Sequence, residues 1–123
     1  MMAEFPSAAK EAESRLPEIA DTAGLSRVIN DAARPALVLF DAVWCSPARR
    51  IEARLLRLFR GDEVAMVRVD VDRAPELARK FAVHAVPTLA LFRAGQLAAR
   101  RLGDIDDGDL QHWLERECMA PSA

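Results

Sequence analysis

Apolar positions along the chain alternate between short solid runs and helically spaced stripes. Ala36-Leu37-Val38-Leu39-Phe40 is an unbroken apolar run, the signature of a strand buried on both faces of a sheet. Val64–Val71, valine-rich and partly alternating, and Thr88–Phe92 predict two more strands. Arg93-Ala94-Gly95-Gln96 reads as a turn that folds Leu97–Leu102 back as a hairpin. Helical spacing fills the gaps. Leu25, Val28, Ile29 and Ala32 share one face of a helix over Gly24–Arg34, stopped by Pro35. Ile51, Leu55 and Leu58 form the stripe of a helix that follows Pro47 and closes at Gly61; Arg49, Arg50, Glu52, Arg54, Arg57 and Arg60 are expected on its other faces. Pro75 and Glu76 open a helix running to about Phe81. Leu110, Trp113, Leu114 and Cys118 mark a last helix, capped by Asp106 or Asp107. Leu16–Ala20 is read as a short edge strand, where Pro17 is tolerated. The order β-α-β-α-β-α-β-β-α predicts an α/β domain layered α/β/α, with helices on both faces of one sheet.

Length and charge narrow the picture without naming a chemistry. The 123 residues suit one domain, expected over residues 16–123 after a flexible tail of residues 1–15. Half of the residues are apolar, so a core can form. The net charge of −2 points to neither nucleic acid nor membrane as partner. No apolar run is long enough to span a bilayer, and Met1–Arg15 has no apolar signal segment, so the cytosol is the expected compartment. The two cysteines, Cys45 and Cys118, are too few for a disulfide framework and fit no metal spacing, so neither metal nor cofactor is expected.

The segment that carries chemistry is Trp44-Cys45-Ser46-Pro47-Ala48, which follows a buried strand and opens a helix. The first turn of a helix presents unpaired N–H groups and a positive dipole end, and both favour a thiolate there. Pro47 suits the first turn. Arg49 and Arg50 add positive charge near the thiol, against the helix dipole, unless they point to solvent. Strand, Trp-Cys, Pro and helix in that order favour a reactive Cys45 over a small buried hydrophobe.

These residues resemble the thioredoxin family over about Leu16 to the C-terminus. Trp44-Cys45-Ser46-Pro47-Ala48 matches the family's Trp-Cys-Gly-Pro-Cys motif except at Ser46 and Ala48. Val86-Pro87-Thr88 matches its cis-proline segment, Val69-Asp70-Val71-Asp72 the strand before its third helix, Phe92-Arg93-Ala94-Gly95 its hairpin turn, and Leu102-Gly103 its groove glycine. The resemblance implies a thioredoxin fold with a central mixed β-sheet and a nucleophilic Cys45. It also implies a substrate groove formed by Trp44, Ser46, Pro47, Val86, Pro87, Thr88 and Gly103, which would hold an extended protein segment. Against that pattern, the resolving cysteine is lost at Ala48, the buried acid at Leu39, and the nearby lysine is Arg68. The joint loss at 39 and 48 favours a natural single-cysteine protein over an engineered change.

Three further residues are candidates for tuning the thiol. Asp41, two positions from Leu39, shares its side of the strand; a solvated strand-end carboxylate is expected. Arg49 and His84 complete the set, His84 as an exposed residue of the groove loop. Family placement of the last helix carries Cys118 roughly 15 Å from the site at about 1.5 Å per residue, beyond the roughly 7 Å a disulfide allows, so packing is its expected role. His112, on that helix, is expected to be exposed. Three functions follow: monothiol exchange on protein thiols and disulfides, with glutathione or another thiol as resolving agent; a non-catalytic binding or chaperone-like module using the cis-proline groove; or a dithiol thioredoxin whose resolving cysteine was engineered to Ala48.

Overall fold

In the computed structural model, residues 15–31, 33–59 and 63–118 are described. The expected tail before Arg15 and the expected helix stop at Gly61 lie outside them. Among the described residues four helices and four strands follow in the order α1 Thr22–Ile29, β1 Ala36–Asp41, α2 Ser46–Leu58, β2 Ala65–Asp70, α3 Pro75–Lys80, β3 Thr88–Arg93, β4 Gln96–Leu102 and α4 Asp107–Glu117. The sheet order is β2-β1-β3-β4, with β1 parallel to β2 and antiparallel to β3. It is therefore a mixed sheet, and β1 is central.

Alternation along the strands divides the core. Leu37, Leu39, Leu89 and Leu91 pack with Ile51 and Leu55 of α2 and Leu110, Trp113 and Leu114 of α4. Val38, Phe40, Val67, Val69, Ala90 and Phe92 pack with Leu25 and Ile29 of α1 and Leu77 of α3. Two helices thus cover each face, giving three layers as the element order implies.

Two elements are shorter than expected. The Leu16–Ala20 strand is reduced to one bridge, Glu18 beside Arg68, with hydrogen bonds of 2.9 Å from Ile19 N to Arg68 O and from Arg68 N to Pro17 O. Pro17 has no N–H to extend the ladder. The first helix starts earlier, at Thr22, where Asp21 caps it by accepting from Gly24 N at 2.6 Å. It ends at Ile29 because the hairpin turn takes its last carbonyl: Gly95 N donates to Ile29 O at 2.7 Å. Ala94 and Gly95 both have positive φ, 51° and 83°, as a two-residue hairpin turn requires. The Asn30 side chain occupies the space a Cβ at position 95 would need. Asp106 caps α4, accepting from Asp109 N at 2.8 Å.

Candidate active site around Cys45

Strand β1 ends at Asp41, three residues turn, and Cys45 caps α2. The turn is closed by Cys45 N donating to Ala42 O at 3.0 Å, and Ala48 N donates to Cys45 O at 3.2 Å. No side chain caps the helix, and Pro47 lies in its first turn. The thiol is 4 % exposed and packs with Ala42, Ala48, Val71 and Val86. Ser46 is exposed; Ala48, where a resolving thiol would stand, is fully buried.

The groove residues come from three separate segments, 44–47, 86–88 and Gly103. The Val86–Pro87 bond is cis. Thr88 Oγ1 donates to Ala85 O at 2.7 Å, and Gly103 N, at a φ of 81°, donates to Pro87 O at 2.8 Å. Trp44 is 67 % exposed, and its Nε1 donates to Asp72 Oδ2 at 2.9 Å. Trp44, Val71, Val83, His84, Ala85 and Val86 line a hollow of about 180 Å³. His84 is exposed there, and His112 is exposed on α4. A larger hollow of about 480 Å³, reaching from Arg15 and Leu16 to Leu56 and Met66, contains none of these residues.

Beneath the thiol the expectations need correction. Asp41 is not solvated: it is 1 % exposed, and Arg49 Nη1 donates to its Oδ2 at 3.0 Å. Arg49 does not simply point to solvent, since its Nη2 also donates to Ala42 O at 2.6 Å. Burial pushes the Asp41 carboxyl above its ordinary 3.8; the hydrogen bond and charge of Arg49 and the charge of Arg68 offset this only in part, and Glu52 adds repulsion. Glu52, expected on an outer face of α2, is 2 % exposed. It accepts from Leu16 N at 2.7 Å and Arg15 Nε at 2.9 Å, with Arg68 Nε at 3.7 Å. Arg68, opposite Leu39 across the β1–β2 ladder, donates from Nε to Leu16 O at 2.9 Å. Leu39 itself is fully buried among apolar side chains. The carboxylates under the site are therefore engaged by arginines and by the Arg15–Leu16 segment.

One of these residues, Glu52, had a legible signal in the sequence. Ala48, Ile51, Glu52 and Leu55 follow the i, i+3, i+4, i+7 spacing of a buried stripe, which placed Glu52 inside it. Asp72 closes the Val69–Asp72 block, but its bond to Trp44 spans 28 residues and leaves no local trace.

Both thiols are free. Cys118 packs at the margin of the α2–α4 core, and burial pushes its thiol up to about 11. Among the described residues no group of three or more His, Cys, Asp or Glu could hold a metal, and no helix is long and apolar enough to cross a membrane.

The thioredoxin family model matches residues 18–116. The chain belongs to the thioredoxin family. It is 35 % identical over 83 residues to thioredoxin of Rhodospirillum rubrum, a match covering 66 % of this chain and 80 % of the relative. Thioredoxin from Fasciola hepatica superposes with a TM-score of 0.74 at 32 % identity, covering 83 % of this chain and 99 % of that one. A mutant thioredoxin from Halobacterium salinarum superposes at 0.75 with 27 % identity, covering 89 % and 96 %. Thioredoxin membership supports a thiol–disulfide oxidoreductase function directed at protein substrates.

Proposed function

We propose that the protein is a monothiol exchanger in which Cys45 attacks a mixed disulfide of a protein substrate and an external thiol regenerates it. The observation that carries this is Ala48, fully buried one turn along α2 from Cys45. The other cysteine, Cys118, caps the C-terminal end of α4 and packs against the α2–α4 core. In the first step the Cys45 thiolate attacks one sulfur of a protein–glutathione disulfide. That S–S bond breaks, and the protein sulfur leaves as a thiolate that takes a proton from water. In the second step a glutathione thiolate attacks the Cys45-bound sulfur, releasing oxidised glutathione and the Cys45 thiolate. The substrate segment lies extended in the groove of Trp44, Ser46, Pro47, Val86, Pro87, Thr88 and Gly103, taking strand-like hydrogen bonds from the backbone at the cis-proline. On this reading the functional domain is residues 16–123, preceded by a tail, and it works in the cytosol, where glutathione is available.

The 4 % exposure of Cys45 beside a 67 % exposed Trp44 favours one second reading, a binding module that grips partners without turnover. Alkylation of Cys45 followed against pH, with disulfide reduction assayed with and without glutathione, separates the two. Exchange requires a reactive thiol and glutathione-dependent turnover; an inert thiol with no turnover in either condition sinks it. Retention of all partners by Cys45→Ser supports the binding module. Ala48→Cys tests the third reading, an engineered loss: a dithiol site restored in this way reduces one substrate disulfide per site without glutathione, closing its own disulfide as the protein thiol leaves.

A further inference from the structure

Two consecutive arginines in the first turn of a helix oppose its dipole, at a cost of about 0.3–1 kcal/mol each. Arg50 reaches away from the thiol, donating to Ile105 O at 3.0 Å and pairing with Asp104 and Asp107. Arg49 reaches the other way, and its Nη2 lands on Ala42 O, the same atom that accepts Cys45 N. A carbonyl has two lone pairs, so one oxygen holds both donors. The other arm of the guanidinium holds Asp41, for which Arg49 is the one side-chain hydrogen-bond donor among the described residues. The rest of the turn has little to fix it by packing: Val43 is 72 % and Trp44 67 % exposed.

We propose that Arg49 is a positioning residue for the reactive thiol, clamping the Ala42–Cys45 turn to the end of β1 through the Ala42 carbonyl and the Asp41 carboxylate. The planar fork of arginine meets both acceptors at once; a lysine ammonium at the end of a single stem does not. The clamp keeps Cys45 N–H on Ala42 O and fixes the first turn of α2 relative to the sheet while the sulfur is joined to glutathione. Its consequence for turnover rests on Cys45 being the exchanging thiol, but the clamp itself is tested without turnover.

The experiment compares Arg49→Ala, Arg49→Lys and Arg50→Ala in the full chain. Arg50→Ala removes the same charge from the same helix turn and leaves the clamp intact. Amide hydrogen exchange is read at Cys45, with Val38 and Ala90 as core references. Arg49→Ala is expected to speed exchange at Cys45 about tenfold more than at the references, as a local opening would. Arg49→Lys should fall between that variant and the unaltered chain, and Arg50→Ala should leave Cys45 within about twofold. Equal effects of Arg49→Ala and Arg50→Ala overturn the proposal, as does a Cys45 amide that moves only in step with Val38 and Ala90. Should Arg49→Ala not fold, a Cys45 amide in Arg49→Lys as protected as in the unaltered chain overturns it equally. A Cys45 thiol inert in the unaltered protein rejects the exchange function and leaves the amide result to decide the clamp.

Discussion

Phe40 and Asp41 are neighbours on β1, both buried, and they look into opposite layers. Phe40 enters a layer without buried charge, packing within the α1–α3 core and against the ring of Phe81, which in turn meets Phe92 edge-on at 5.4 Å between centroids. Asp41 enters the layer beneath α2, where Arg49 takes its carboxylate and Glu52 gathers Arg15, Leu16 N and Arg68. The first layer is closed by area removed from water, which needs only the right volume. The second has its own apolar core around Leu39, Ile51 and Leu55, and beside it buried charges whose desolvation must be offset by specific partners. It is also the layer from which the thiol-bearing turn is held. The comparison teaches that apolar packing closes both faces of the sheet, and that under α2 directional bonds to buried carboxylates are added to it.

The largest way to test this is to empty the apolar side. Phe40→Ala should cost about 3–5 kcal/mol in urea unfolding, and its loss should appear mainly as stability, with Cys45 alkylation at neutral pH little changed in the remaining folded protein. Next comes the ionic side. Glu52→Ala leaves Leu16 N without its acceptor, removes the carboxylate beside Arg15, Arg49 and Arg68, and should cost about 2–3 kcal/mol, below the roughly 3–5 of a fully enclosed pair because Arg15 and Arg49 reach water. A change under about 0.5 kcal/mol would show that Glu52 is buried without holding anything.

Asp41 gives a smaller effect with a definite sign. Its folded carboxyl titrates above its ordinary 3.8, because burial outweighs the pull of Arg49. The folded state therefore binds this proton more readily than the unfolded chain. The associated stability is present below the unfolded value and is lost as pH rises through the folded one. The stability difference between the unaltered protein and Asp41→Asn should thus fall as pH is raised from about 4 and level off once the folded carboxyl is ionised. Unfolding series at several pH values check it, and a difference that grows with pH means the Arg49 pair dominates over burial. Smallest is Asp72→Ala, which frees the exposed Trp44 indole at about 0.5–1 kcal/mol. It should move the Trp44 indole N–H resonance and leave that of buried Trp113 in place.

How far the sequence could be read follows the range of the forces involved. The strand at Ala36–Phe40, the helix after Pro47 and the hairpin turn at Ala94-Gly95 announce themselves by period and turn chemistry, both local properties. The expected end of the first helix at Arg34 was too late because the stop is a hydrogen bond from Gly95, far along the chain. Asp41 was read as solvated because a carboxylate at a strand end usually is; its partner, eight residues away, lies across the turn that carries the thiol. Glu52 stood in the buried stripe of its helix, but its partners Arg15 and Leu16 lie 37 and 36 residues away.

By itself the sequence determined the order of elements, the α/β layering, a single cysteine at the mouth of α2, and the absence of a second thiol at Ala48 and of an acid at Leu39. These are matters of residue type, periodicity and spacing. Tertiary structure alone decided what lies between α2 and the sheet: two buried carboxylates, the arginines that pair with them, and a guanidinium sharing one carbonyl with the Cys45 amide. Whether a charge is buried depends on whether opposite charge and hydrogen-bond donors converge on it in space. Only the packing of α2 and the Arg15–Leu16 segment against the sheet brings those groups together.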